Sequence, residues 1–200
     1  QVTIYDRYDR VGGLLIYGIP GFKLEKHVVQ RRHKLLEDGG VTFRLNVDVG
    51  TDITFEDIRG QHDAVLVATG VYKARDISAP GVGMGGIVPA LDYLTASNRK
   101  SLGDDVADFE SGLLNAEGRD VVVIGGGDTA MDCVRTAIRQ NAKSVTCLYR
   151  RDRANMPGSQ REVANAEEEG VDFRWLSAPQ AFLGENHVRA VQAQKIHLGQ

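Results

Sequence analysis

Three glycines and a small residue follow a short apolar run in the second half of the chain, in the pattern Gly125-x-Gly127-x-x-Ala130. Gly125 permits a tight strand-to-helix turn, Gly127 lets a backbone approach a pyrophosphate, and Ala130 allows close packing of the helix on its strand. Free amides and the positive end of the helix dipole attract anions. The pattern predicts that five residues, the glycine loop, bind the pyrophosphate of a dinucleotide: Gly125, Gly126, Gly127, Asp128 and Thr129. A structural turn without a ligand is the alternative.

The residues after the next predicted strand bear on which dinucleotide binds. A site for NAD places Asp or Glu there, where a carboxylate accepts hydrogen bonds from the 2′-hydroxyl of the adenosine ribose. This chain instead carries Arg150, Arg151 and Arg153 in residues 149–153, which we call the arginine loop. Guanidinium groups grip a phosphate bidentately, so this loop favours NADPH, whose ribose carries a 2′-phosphate. A solvated basic loop is the alternative.

The elements that position these two loops form one βαβ unit of residues 120–149. Residues 121–124 and 144–148 read as buried strands, and the helix between them has an apolar stripe at helical spacing. That stripe consists of Ala130, Cys133, Val134, Ala137 and Ile138. A helix is predicted over 88–102 and another from residue 160, with strands over 171–176 and 188–198. The last of these is either a further strand of the same domain or the beginning of an edge hairpin.

The first half carries the end of a second such pattern. A predicted strand over 2–5 leads into Asp6, followed by a helix over 23–37 and a strand over 41–45. Residues 63–69 read as a strand buried on both faces that runs into Gly70. The connection over 71–86 is the best candidate for a domain boundary. The sequence therefore predicts an α/β protein with two Rossmann-like lobes and parallel sheets, divided as 1–76 and 77–200.

Composition limits the classes of function. The net charge is −3 over 200 residues, which excludes a nucleic-acid binder that relies on bulk charge. The apolar runs are far shorter than the roughly 18 residues that a spanning helix needs, so no membrane partner is expected. The first residues carry no secretion signal pattern, and two cysteines without a disulfide framework suit a cytoplasmic protein.

Other residues that bear chemistry read as structural. Cys133 lies on the helix stripe and Cys147 inside a strand, so both are expected to be inert core residues. Two cysteines cannot supply the four ligands of an iron–sulfur cluster, and the histidines show no metal-ligand spacing. Residues 167–169, all glutamate, read as a solvated helix face, and Trp175 as a core residue.

At this point the motifs carry a family resemblance. In the first half they are Tyr5-Asp6-Arg7, Gly12-Gly13-Leu14-Leu15-x-Tyr17-Gly18-Ile19-Pro20 and Ala68-Thr69-Gly70. These resemble the FAD half of two-dinucleotide flavoproteins of the disulfide-reductase type. In the second half they are residues 124–133, the arginine loop and Met156-Pro157-Gly158-Ser159. Together they are similar to the small subunit of NADPH-dependent glutamate synthases.

This resemblance implies a route for electrons from NADPH through FAD and iron–sulfur clusters to a large subunit, which makes glutamate from glutamine and 2-oxoglutarate. It implies that Asp6 binds the FAD ribose, that Gly13 and Leu14 lie against the flavin nucleotide, and that Gly70 closes the FAD site. Lys23 stands where relatives have Arg near the cofactor. No residue is expected to act as an acid or base, because the chemistry of hydride transfer belongs to the cofactors.

The chain also departs from that family pattern. An upstream FAD glycine loop, a cysteine-rich cluster region and a C-terminal return of the FAD lobe are missing from residues 1–200. We therefore expect an internal piece of a longer chain, with an incomplete FAD-type lobe over 1–76, an NADPH lobe over 77–200 and no activity of its own. Two alternatives remain open. One is a related reductase with another acceptor, such as a pyrimidine dehydrogenase or a ferredoxin:NADP reductase; the other is a non-catalytic nucleotide-binding module.

Overall fold

The computed structural model describes residues 1–71 and 77–197, and the chain divides into two compact units. The first unit is Gln1–Ala74 and the second is Arg75–Gln200. The assignment of a FAD-type lobe to 1–76 and an NADPH lobe to 77–200 stays a prediction. No described helix combines the length and apolarity needed to cross a membrane.

The first unit is built around a parallel pair of strands. Its elements are β1 (Val2–Asp6), α1 (Leu14–Tyr17), α2 (Lys26–Asp38), β2 (Val41–Leu45) and α3 (Phe55–Gln61). Strands β1 and β2 pair from Val2 opposite Val41 to Asp6 opposite Leu45. The buried side chains come from the helices and include Ile16, Tyr17, Val29 and Ile58. The predicted strand over 41–45 is confirmed, and α2 begins three residues later than predicted.

The predicted strand over 63–69 is wrong. These residues form no strand, and Leu66 and Val67 are 88% and 67% exposed. A strand that is apolar on both faces needs a neighbouring strand and a layer on each side. Among the described residues no strand pairs with this segment, so its Val- and Leu-rich sequence stays exposed.

The second unit contains a three-stranded parallel sheet in the order β3-β4-β5. Its elements are α4 (Ala90–Ser101), α5 (Ala107–Glu110), β3 (Asp120–Ile124), α6 (Asp128–Arg139), β4 (Ser144–Leu148), α7 (Gln160–Glu168), β5 (Asp172–Arg174), β6 (Ser177–Gly184) and β7 (Val188–Lys195). The predicted βαβ unit is confirmed, because β3 and β4 pair in parallel on either side of α6. The carboxyl ends of both strands therefore meet at one edge of the sheet.

Helix α6 contributes more residues to the buried core cluster of the second unit than any other described element. Met131, Val134 and Ala137 are fully buried and belong to one cluster with Val145 and Cys147 of β4. The period of the apolar stripe sets this arrangement, because residues three and four apart share one helix face. The α/β fold class predicted from the sequence is confirmed.

A hairpin follows the parallel sheet. Strands β6 and β7 pair antiparallel, with irregular register between Pro179 and Ala181 and again between Leu183 and Gly184. The predicted strand over 188–198 is present as β7, and it is the second arm of this hairpin, whereas the sequence interpretation had a hairpin beginning there. The strand predicted over 171–176 is shorter, and Leu176 adopts a φ of 52° directly before β6.

Charged side chains join α6 to α7. Arg135 is 8% exposed, and its guanidinium donates to Glu162 Oε2 at 2.7 Å and to Glu169 Oε1 at 2.7 Å. Arg139 donates to the same Glu169 at 2.6 Å, and Arg153 donates to Glu167. Of the predicted solvated glutamate face, Glu168 is exposed, whereas Glu167 and Glu169 are partly buried and form ion pairs with arginines.

Candidate nucleotide-binding site

The glycine loop turns the chain from β3 into α6. Gly125 has a φ of 153°, which favours glycine, and its amide donates to Leu148 O at 3.2 Å. Gly127 is the N-cap of α6, and its carbonyl accepts hydrogen bonds from the amides of Ala130 at 2.9 Å and Met131 at 3.2 Å. The Gly127 carbonyl therefore closes the first turn of α6.

Four consecutive amides of this loop are unsatisfied within the described part of the chain. They belong to Gly126, Gly127, Asp128 and Thr129, none of which donates a backbone hydrogen bond to another described residue. The first amides of a helix have no intrahelical acceptor and lie at the positive end of its dipole. An anion with several oxygens, such as a pyrophosphate, fits such a row of donors.

The middle glycine is packed against an aromatic ring, and its neighbour is open. A Cβ added to Gly126 would lie 2.3 Å from a ring carbon of Tyr149, whereas one added to Gly127 would meet nothing within 4 Å. Tyr149 is the first residue after β4 and is itself buried. The two glycines therefore differ in what they do: Gly126 accommodates the ring, and Gly127 leaves room in front of the amides.

A second turn, at residues 156–159, docks on the glycine loop. The amide of Gly158 donates to Gly126 O at 2.9 Å, and a Cβ on Gly158 would lie 3.1 Å from that oxygen. The amide of Ser159 donates to Asp128 Oδ1 at 3.1 Å. The carboxylate of Asp128 thus faces the start of α7, while its amide belongs to the unsatisfied row. From the residues alone this contact had no signal beyond the Met156-Pro157-Gly158-Ser159 motif.

The arginine loop begins at the carboxyl end of β4, the strand beside the glycine loop. Arg150 and Arg151 are exposed, and within the described ranges neither side chain makes a hydrogen bond or ion pair. Arg153 differs, because its guanidinium donates to both carboxylate oxygens of Glu167, at 2.5 and 2.7 Å. Within the described residues, the guanidinium groups of Arg150 and Arg151 therefore have no hydrogen-bond partner, whereas that of Arg153 is paired with a carboxylate.

The two cysteines are buried away from solvent. Burial raises the pKa of the Cys147 thiol to about 12 and raises that of Cys133 further. The Cys147 thiol donates to Gly125 O at 3.4 Å, and Cys133 lies on the buried face of α6. A thiolate is the reactive form of cysteine, so both residues are unreactive at neutral pH, as their positions in the sequence predicted.

An aromatic cluster borders the arginine loop. Trp175 stacks on Phe173 with ring centroids 4.8 Å apart and meets Tyr149 edge to face at 6.5 Å. Both Trp175 and Phe173 are partly buried and pack against the core of the second unit. Trp175, predicted to be a core residue, therefore packs against the core but is only partly buried.

The five candidate residues of the first unit lie at turns and element ends. Asp6 ends β1, and its Oδ1 accepts a hydrogen bond from the Tyr8 amide at 3.0 Å. Gly13 is the N-cap of α1, and Leu14 begins that helix. Lys23 precedes α2, and its amide donates to Pro20 O at 3.0 Å, whereas Gly70 follows the exposed apolar segment.

Among the described residues, no three His, Cys, Asp or Glu side chains are arranged to hold a metal ion. The histidines have other contacts. His62 lies 3.3 Å from the Tyr5 hydroxyl, His33 pairs with Glu37 at 3.3 Å, and His27 pairs with Glu25.

The fold and this loop geometry agree with the comparison to known families. The chain belongs to the pyridine nucleotide-disulphide oxidoreductase family, whose model matches residues 25–198. A solved structure with the same fold is FprA of Mycobacterium tuberculosis in complex with NADPH, with a TM-score of 0.79 and 18% identity. That match covers 97% of this chain and 56% of FprA.

Similar sequences narrow the comparison from this family to one kind of protein within it. The chain is 68% identical over 199 residues to the glutamate synthase (NADPH) small chain of Azospirillum brasilense, covering 100% of this chain and 41% of that protein. It is 50% identical over 200 residues to the protein of the same name from Halomonas elongata, covering 99% and 42%. The predicted resemblance to these small subunits is confirmed. The chain spans less than half the length of these curated relatives.

Proposed function

We propose that this chain is the NADPH-binding part of a glutamate synthase small subunit, a flavoprotein that oxidises NADPH. The observation that carries this proposal is the row of four unsatisfied amides in the glycine loop, beside two uncommitted arginines at the end of the next strand. A row of amides alone suits many anions. The added guanidinium groups favour a dinucleotide with a further phosphate.

The residues have separable roles in this proposal. The amides of Gly126, Gly127, Asp128 and Thr129 bind the pyrophosphate, and Arg150 and Arg151 bind the 2′-phosphate. Gly127 has open space where a side chain would stand, so the pyrophosphate oxygens can approach the backbone. Arg153 is a weaker candidate for the 2′-phosphate, because its guanidinium is already paired with Glu167.

The first unit contributes to FAD binding in the proposed parent protein, through Asp6, Gly13, Leu14, Lys23 and Gly70. NADPH, when bound, supplies a hydride for FAD. We further propose that the electrons pass through iron–sulfur clusters outside this chain to a large glutamate synthase subunit in the cytoplasm. The resemblance to small chains of that enzyme supports these assignments.

Titration of the chain with NADPH and NADH by isothermal calorimetry tests the proposal. We expect NADPH to bind at least about tenfold more tightly, since charge-assisted hydrogen bonds to one more phosphate are lost with NADH. Changing Arg150 and Arg151 together to Ala should remove most of this preference while NADH affinity changes little.

The matched control is Arg189→Ala, which removes an exposed arginine of β7 in the same unit. It should leave the preference for NADPH intact. Equal affinity of the unmodified chain for both nucleotides would overturn the assignment of the arginine loop, and no binding of either would overturn the proposed site.

A further inference from the structure

The carboxylate of Asp128 has a use that nucleotide binding by itself does not require. A negative charge one residue after the last glycine of a phosphate loop repels the phosphates that the neighbouring amides attract. In this structure Asp128 Oδ1 instead accepts a hydrogen bond from the amide of Ser159, the N-cap of α7, at 3.1 Å. The charge is thereby directed to the positive end of a second helix.

This contact is one of several hydrogen bonds that connect the glycine loop to the arginine loop through residues 158–160. The middle of the arginine loop is anchored to the residue before β6, because the amide of Leu176 donates to Arg151 O at 3.1 Å. After the loop, the side chain of Gln160 donates to Arg153 O at 2.9 Å. Two further hydrogen bonds connect residues 158–159 to the glycine loop. The amide of Gly158 donates to Gly126 O, and the amide of Ser159 donates to Asp128 Oδ1.

We propose that Asp128 is a positioning residue for nucleotide selectivity: it ties the start of α7 to the glycine loop and so holds Arg150 and Arg151 in register with the row of amides. The proposal rests on the proposed NADPH site. Asp128 acts through Ser159 and the arginine loop, and its side chain makes no contact with the nucleotide.

Two substitutions break the contact from opposite ends. Asp128→Ala removes the acceptor. Ser159→Pro removes the donor and places a ring carbon where the amide hydrogen was, so that the Asp128 carboxylate is displaced. The backbone tolerates the change, because Ser159 has a φ of −57°, which proline adopts, and its side chain makes no capping hydrogen bond. Each should weaken NADPH binding by about tenfold, the order expected for one charge-assisted hydrogen bond, and change NADH binding by less than about twofold.

Two conservative variants keep the contact. Asp128→Asn retains the Oδ1 acceptor without the charge, and Ser159→Ala retains the amide. Both should bind NADPH at least as tightly as the unmodified chain and keep its selectivity. The double variant Asp128→Ala with Ser159→Pro should lose no more than either single one, because both remove the same hydrogen bond.

Calorimetric titration of the full chain and these five variants with NADPH and NADH gives the test, with circular dichroism melts to verify folding. The inference is overturned if Asp128→Ala binds NADPH as tightly as Asp128→Asn, which indicates simple charge repulsion. It is also overturned if both nucleotides weaken equally, or if the losses of the two single variants add. Failure of the unmodified chain to prefer NADPH contradicts the proposed function itself and is thereby distinguished.

Discussion

At the scale of single residues, the neighbouring Gly126 and Gly127 of the glycine loop have different surroundings. Gly126 is set by a contact inside the protein, since the Tyr149 ring occupies the space where a Cβ would stand. Gly127 has no such neighbour, so nothing in the described structure forbids a side chain there. The proposed nucleotide site supplies a reason for glycine at position 127, namely the close approach of a pyrophosphate to the backbone.

This difference predicts opposite outcomes for two alanine variants. Gly126→Ala should lower the free energy of unfolding by about 1–3 kcal/mol, because the ring or the loop must move. Gly127→Ala should cost less than about 1 kcal/mol, the range for a changed N-cap, and yet weaken NADPH binding by at least about tenfold.

Urea unfolding and calorimetric titration measure the two quantities on the same samples. Gly83→Ala is the matched control, since a Cβ there also meets nothing within 4 Å, and it should change neither quantity. Unchanged NADPH affinity in Gly127→Ala would contradict the placement of the pyrophosphate at this loop.

At the scale of elements, ion pairs complement apolar packing between α6 and α7. Arg135 lies on α6 with two carboxylates around it, Glu162 at the start of α7 and Glu169 at its C-cap. One guanidinium thus bridges the full length of α7. The bridge fixes α7 against α6, and the residues directly before α7, Gly158 and Ser159, donate hydrogen bonds to the glycine loop. The packing of α7 therefore also positions residues of the candidate site.

Removing the bridge should destabilise the second unit. Arg135→Met keeps much of the apolar stem but leaves Glu162 without its 2.7 Å partner, and we expect a loss of roughly 2 kcal/mol in the free energy of unfolding. Urea unfolding followed by fluorescence of Trp175, the single tryptophan, reports on this unit. In the control Arg174→Met, an exposed pair with Asp172 is lost, and the change should stay within about 0.5 kcal/mol.

The same bridge predicts a dependence on pH. Hydrogen bonds from Arg139, and then from Arg135, lower the pKa of Glu169 from 4.5 to about 2. A carboxyl whose pKa is lowered by folding stabilises the protein above its unfolded pKa, and this contribution is lost as pH falls from about 4.5 toward 2.

Melting temperatures of the chain and of Glu169→Gln should therefore differ most above pH 5 and converge only as the pH approaches about 2. Glu168→Gln provides the comparison, because the exposed Glu168 makes no ion pair with any described residue. A difference between the chain and Glu169→Gln that stays constant across this range would contradict the charge-based explanation.

At the scale of the whole molecule, the two units differ in how well they cover their apolar residues. The second unit buries Ala130, Cys133, Val134 and Ala137 of the apolar stripe of α6 and partly buries Ile138. In the first unit, by contrast, Leu66 and Val67 are largely exposed. An apolar segment of high β-propensity without a paired neighbour favours association with another chain. The exposed segment is thus the expected weak point of the chain in solution.

Leu66→Lys should reduce self-association of the chain at high concentration, because a charge in the segment opposes strand pairing between copies. Sedimentation velocity over a concentration series measures this directly. Leu66→Ile keeps an apolar, β-prone side chain and should associate like the unmodified chain. Identical behaviour of the lysine variant and the unmodified chain would show that the segment takes no part in association.

Much of the second unit was predictable from local patterns. The Val- and Ile-rich run over 121–124, the glycines after it and the apolar stripe of the helix are each determined by neighbours within a few residues. Their periods therefore specify a strand, a turn and a helix without knowledge of the rest of the chain. The glycine loop and the start of the arginine loop followed from this register alone.

What the sequence by itself determined is this βαβ unit and the residues that form its two loops. The tertiary structure decided the features that depend on distant partners: Ser159 meets Asp128 across 31 residues, and Arg135 meets Glu169 across 34. It also decided that residues 63–69 form no strand, although their apolar pattern is that of one. A pattern shows what a segment prefers, but a strand forms only where a neighbour supplies its hydrogen bonds, and an ion pair only where the fold brings two charges together.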